Sequence, residues 1–119
     1  MRCMESLEML GLERDIDYVF NVSYYKLTDW SNRPLRFDFR FLNHKIIIET
    51  DGSQHYFPTQ FGKTTKEQAL INFNILKECD KIKDDFCKKF GYKMIRIPYT
   101  EICNMLTILH CELDHILEY

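Results

Sequence analysis

The stretch Arg36-Phe37-Asp38-Phe39-Arg40-Phe41-Leu42-Asn43-His44-Lys45-Ile46-Ile47-Ile48-Glu49-Thr50-Asp51-Gly52-Ser53-Gln54-His55 reads as a β-hairpin with acids on both arms. Aromatic and β-branched runs flank Asn43-His44, a turn candidate. A two-residue turn there pairs Leu42 with Lys45. Counting outward then sets Phe41 across from Ile46, Phe39 across from Ile48, Asp38 across from Glu49 and Arg36 across from Asp51. Alternation predicts that the Phe and Ile side chains share a buried face, while Asp38, Glu49 and Asp51 share the other. A one-residue slip would split the two apolar runs, so the apolar pattern and the acid cluster select the same pairing. Opposed side chains have Cβ atoms roughly 5 Å apart, and like charges there repel. A positive group is therefore expected between the acids.

The chain has 119 residues, 45% of them hydrophobic, which suits one compact domain spanning 1–119 and is too short for two. No run approaches the ~20 apolar residues that cross a bilayer, so a soluble intracellular protein is expected, in cytoplasm or nucleus, with no membrane partner. Cys3, Cys79, Cys87, Cys103 and Cys111 are odd in number and form no C-x-x-C pair, which points to reduced thiols rather than a disulfide framework or zinc knuckle. The net charge of −2 argues against a protein that simply coats nucleic acid. The charge is uneven, however: no Lys or Arg follows Glu101, and residues 1–100 are mildly basic. Lys77, Lys81, Lys83, Lys88, Lys89, Lys93 and Arg96 make the densest positive region, either a phosphate-binding surface or a solvated helix face mixed with Glu78, Asp80, Asp84 and Asp85.

Outward from the hairpin, the chain predicts a helix over Cys3 to Leu10 closed by Gly11, a strand over Tyr18 to Leu27, and a polar loop from Thr28 to Pro34. Pro58 and Gly62 mark a loop after His55. A helix follows over Lys66 to Phe90, its apolar stripe being Ile75, Cys79, Ile82, Phe86 and Phe90, and Gly91 stops it. Tyr92 to Ile97 is a strand ended by Pro98. Thr100 then caps a last helix whose inward positions include Ile102, Met105, Leu109 and Leu113. The order αβββαβα describes an α/β fold with a mixed four-stranded sheet flanked by helices.

Hard divalent cations favour carboxylate, carbonyl and water oxygens. Asp38, Glu49 and Asp51 supply carboxylates, and Thr50 can add its backbone carbonyl. A Mg²⁺ ion held there, with Mn²⁺ able to substitute, would polarise a phosphate oxygen and activate water for in-line attack on a phosphodiester. The competing reading pairs Asp51 with Arg36 and leaves Glu49 to Arg40 or solvent. Gly52 either lets a phosphate approach the backbone or simply ends a strand. His55 is a general-base candidate and Gln54 a donor to phosphate or water, against structural roles for each in the turn. Asp80 and Lys83 either face the acids or form an i,i+3 surface pair. His44, His110 and His115 have no comparable setting.

Three segments in order, Arg33-Pro-Leu-Arg-Phe-Asp38-Phe, Ile-Glu49-Thr-Asp51-Gly52-Ser-Gln54-His55, and Cys79-Asp80-Lys-Ile-Lys83 continuing to Gly91-Tyr-Lys-Met-Ile-Arg96-Ile-Pro98-Tyr, resemble the PD-(D/E)xK nuclease superfamily. Within it they are most similar to small phage and viral endonucleases and to homing endonucleases related to the very-short-patch repair endonuclease. The resemblance runs from Arg33 to Tyr99. It implies a restriction-endonuclease-like αβββαβ core with an extra C-terminal helix, and Mg²⁺-dependent endonucleolytic cleavage of DNA. Asp38 is then the first metal ligand, Glu49-x-Asp51 the second motif, His55 the motif histidine, and Asp80 with Lys83 the helix pair. Two positions depart from the family pattern. Asp51 stands where the usual lysine does, so that role passes to Gln54, His55, Lys83 or the metal, and the N-terminal helix glutamate falls on Glu5 or Glu8. A single domain cuts once per visit, so a double-strand cut calls for a homodimer or two visits. The alternatives are a catalytically inactive nuclease-fold protein that binds DNA or serves as a scaffold, and a nuclease acting on RNA.

Overall fold

A computed structural model describes residues 3–52, 56, 58 and 64–117, with residues 25 and 26 defined by backbone alone. Ser53, Gln54 and His55 lie outside the described residues, so the two expectations that rest on Gln54 and His55 are not addressed. The elements are helix α1 (Cys3–Met9), strands β1 (Tyr18–Thr28), β2 (Pro34–Phe41) and β3 (Ile46–Asp51), helix α2 (Lys66–Phe90), strand β4 (Lys93–Pro98), a 3-10 turn (Tyr99–Asn104), helix α3 (Met105–Leu113) and a closing 3-10 turn (Asp114–Ile116). Gly11 adopts φ 85° after α1, and Gly91 at φ 75° closes α2 by donating its N–H to the Cys87 carbonyl. Thr65 caps the other end of α2, its side chain accepting from the Gln68 N–H. The last helix starts later than the sequence predicts. Residues Tyr99–Asn104 wind as 3-10, and neither Thr100 nor Asn104 supplies a side-chain cap.

The four strands lie in the order β1-β2-β3-β4. β2 runs antiparallel to both β1 and β3, and β4 lies parallel to β3 after the α2 crossover, so the sheet is mixed. The β2–β3 register is the one counted from the sequence, Phe39↔Ile48 and Arg40↔Ile47. The ladder is nevertheless short. Residues 42–45 form bends rather than a two-residue turn, and the Lys45 carbonyl turns to accept from the Lys93 N–H of β4.

Helices cover both faces, which overturns the expectation of one buried and one polar face. Ile46, Ile48, Phe39 and Phe41 pack with Leu7 of α1 and Leu109 of α3. Ile47 and Phe37 pack on the other side with Cys87, Ile82 and Phe86 of α2. A strand buried on both faces is read as a continuous apolar run rather than an alternating one, and Ile46-Ile47-Ile48 is such a run. Phe37 and Phe39, two residues apart, end up in different cores. The same reversal occurs in β1, where Tyr18 joins the first core while Val22 and Tyr24 join the second. The inversion falls at one point in both strands. Asn21 carries φ 56°, and the flanking pairs Phe20↔Phe39 and Val22↔Phe37 set it opposite Asp38. A left-handed residue rotates the strand about its axis, and Asn tolerates that conformation better than most side chains.

The α2 stripe is also only partly buried. Twenty-five helical residues span about 37 Å, whereas the six residues of β3 span about 20 Å. The helix must overhang the sheet. Ile75 and Phe90 are accordingly exposed, and contact concentrates at Ile82, Phe86 and Cys87. Phe86 stacks against Tyr92 and packs on Tyr24 and Phe37, which gives this face an aromatic core. Among the described residues no helix is long and apolar enough to cross a membrane.

Candidate active site

The kink at Asn21 and Asp38 opens the sheet where β2 and β3 part. Asp38 Oδ2 accepts the Thr50 N–H at 2.8 Å and the Thr50 hydroxyl at 3.1 Å, taking the place of a backbone partner that β2 no longer supplies. These bonds fix the carboxylate at the mouth of a cavity of about 740 Å³. Asp38, Thr50, Asp51 and Gly52 line it at the strand ends, and α1, the 3-10 turn after β4 and α3 supply an apolar roof. No Lys or Arg is among its described lining residues.

Glu49 faces the other way. Alternation along β3 sends it toward α2, where Lys83 Nζ lies 3.2 Å from Oε1 and the glutamate retains only 4% exposure. Burial pushes its carboxyl up to about 7; Lys83 opposes this shift, and the Asp38 charge adds to it. Asp51 stands between the two faces. The residue borders the cavity, and its carboxylate receives Arg96 Nη1 at 3.2 Å, with the Tyr56 hydroxyl donating at 3.4 Å. Arg96 reaches onward to Asp84 at 2.9 Å and Asp80 at 3.7 Å. Burial alone would weaken the guanidinium charge, but Asp84, Asp51 and Asp80 outweigh it and raise the Arg96 pKa further.

The structure thus gathers Asp38, Thr50 and Asp51 at one cavity and places Glu49 across the sheet from Asp38, so the expected single acidic face does not form. Asp80 and Lys83 do reach the strand acids, Asp80 through Arg96 and Lys83 through Glu49, from the side away from the cavity. A positive group was expected between Asp38 and Glu49; the described cations instead meet Glu49 and Asp51 on the α2 side, and they are not those of the competing reading. Arg36 donates to the Asn21 carbonyl and Arg40 lies over the Tyr24 ring, so the hairpin's own arginines leave the acids to β4 and α2. Among the described residues no three His, Cys, Asp or Glu side chains converge tightly enough to enclose a metal ion.

Arg96 was not singled out as a site residue from the sequence, although the parallel β3–β4 register sets it beside Glu49. Its position on an alternating strand after the helix was the available signal. Asn21 gave none, since one left-handed residue inside an 11-residue strand has no local signature. Cys3 borders the cavity, yet burial, reinforced by Asp38, pushes its thiol up to about 12. It stays protonated at neutral pH and is no nucleophile. Set beside protein-family models, curated proteins and solved structures, the chain matches none of them.

Proposed function

We propose that this protein is a metal-dependent endonuclease of the PD-(D/E)xK type, hydrolysing DNA phosphodiester bonds at the cavity edge where β2 and β3 part. The observation that carries this reading is the Asp38–Thr50–Asp51 grouping at the mouth of that cavity, whose described lining includes two acidic residues and no Lys or Arg. The αβββαβ element order and the mixed sheet agree with the core the resemblance implies. The donor set fits Mg²⁺, which takes one or two carboxylates and fills its remaining positions with water and substrate oxygens. Asp38, Asp51 and the Thr50 carbonyl would hold it. Such an ion supplies Lewis acidity to a phosphate oxygen and a water of lowered pKa.

The chain's own residues divide the remaining work. Thr50 orients the Asp38 carboxylate through two hydrogen bonds to Oδ2, which limits its rotamer freedom at the cavity mouth. Arg96 offsets the charge of Asp51 and anchors it, with Asp80 and Asp84 holding the guanidinium from α2. Lys83 and Glu49 join α2 to β3 behind the site as positioning residues. His55 and Gln54 follow Gly52 and belong to the proposed water and phosphate contacts.

Nicking of supercoiled plasmid with and without Mg²⁺ tests the reading. Asp38→Asn keeps an oxygen for the Thr50 N–H while removing the charge, and nicking should fall about a thousandfold with unchanged circular dichroism. Equal nicking by parent and variant would remove the site. A second reading, a DNA-binding or scaffolding protein without cleavage, is favoured by the Arg96–Asp51 pair, which already compensates one of the two acids. Duplex binding with no Mg²⁺-dependent nicking would select it.

A further inference from the structure

The cavity beside Asp38 offers more than a metal edge. Its described lining presents the Asp38 carboxylate, apolar surface and no Lys or Arg, a setting that suits an uncharged aromatic heterocycle better than a phosphate. Phe20, on the edge strand β1, borders the cavity with 46% of its surface exposed, and the Arg14 guanidinium lies 5.5 Å from the centroid of its ring. Phe39 and Tyr99 add rings to the same lining, and Ile102 is equally exposed at 46%. Asn21, with its left-handed backbone opposite Asp38, is an amide residue on the same wall. An amide both donates and accepts, a carboxylate accepts, and every nucleobase edge presents a mixture that such groups can meet. The volume of about 740 Å³ lies within the range of small-ligand pockets, large enough for one base with its sugar and too small for a stacked duplex.

We propose that this cavity receives one unpaired nucleobase, so that the protein engages DNA where a base is already free of its partner, at single strands or bulges. The proposal rests on the nuclease reading in one respect: a base seated against Phe20 brings the phosphate of the same nucleotide to the Asp38–Thr50 edge. Extruding a base from intact duplex costs a few kcal/mol, and the cost is least where pairing is absent. Selection for unpaired positions therefore follows from the pocket alone.

Binding measured in EDTA, where no cleavage occurs, tests the pocket independently of catalysis. The probes are oligonucleotides carrying 2-aminopurine in a single strand, in a one-base bulge, or paired within a duplex. The unpaired probes should bind at least tenfold more tightly than the paired one, with a change in 2-aminopurine emission on binding. Phe20→Ala should remove about tenfold of that preference, the scale of one base–aromatic stack, and leave duplex affinity unaltered. Ile102→Ala provides a second opening of the same wall. Equal affinity for paired and unpaired probes, or a preference that survives both substitutions, overturns the pocket. So does a dimer that dissociates on Phe20→Ala, because it assigns the cavity to a second copy of the chain. The two readings fail separately. Preference without Mg²⁺-dependent nicking keeps the pocket and removes the nuclease, whereas nicking of intact duplex without preference does the reverse.

Discussion

On the α2 face of the sheet, Glu49 meets Lys83 and Asp51 meets Arg96, and the same face carries the aromatic cluster of Phe37, Phe86 and Tyr92. On the α1–α3 face, the described partners of Asp38 are the N–H and hydroxyl of one threonine, and beyond the carboxylate lies open cavity. One strand hairpin supplies acids to both. The difference separates two uses of buried charge. Carboxylates that meet cations in a packed layer hold elements together, while a carboxylate oriented by neutral donors beside empty volume keeps its charge available to a ligand.

The contrast can be broken first at Arg96. Arg96→Ala removes the guanidinium from Asp51, 4% exposed, and should lower stability by about 3–5 kcal/mol, read as a shift in the urea midpoint. A change below about 1 kcal/mol would show that the ion network is not structural. Phe37→Ala on the same face should cost a comparable 3–5 kcal/mol because its ring is fully buried.

Glu49 sharpens the contrast through pH. Its carboxyl sits near 7 in the folded protein against 4.5 as the ordinary value, so the folded state binds the proton more tightly than the unfolded state. The resulting stabilisation is complete below about pH 4.5 and lost as pH rises through 7, about 3 kcal/mol in all. Glu49→Gln should flatten that part of the stability profile between pH 4.5 and 7. An unchanged slope in the variant would place the titration elsewhere. The smallest effect belongs to the open face: Phe20→Ala should cost less than about 1 kcal/mol, since nearly half of the ring is already in water. A loss matching that of Phe37→Ala would mean the cavity wall is core, and the contrast between the faces would fail.

Much of the architecture was legible in the sequence. The helix over Lys66 to Phe90 and the stop at Gly91 follow from periodicity and from glycine's access to left-handed backbone. The Phe39↔Ile48 register follows from matching the two apolar runs. Face assignment went astray because alternation assumes one wet face, while here α1 with α3 and α2 bury both. The acid partners went astray for a related reason. Arg36 and Arg40 are near in sequence, yet Lys83 and Arg96 arrive only when α2 crosses over and β4 pairs parallel to β3.

By itself, the order of residues determined which segments are helix and strand, how the hairpin arms align and which acids sit within reach of its open end, because these depend on local propensity and on periods of 2 and 3.6 residues. Only the tertiary structure decided that Asp38 and Glu49 part to opposite faces, that Arg96 holds Asp51, and that a hollow lies beside Asp38. Those outcomes depend on one left-handed residue at Asn21 and on which distant helix covers which side, and neither leaves a periodic trace in the chain.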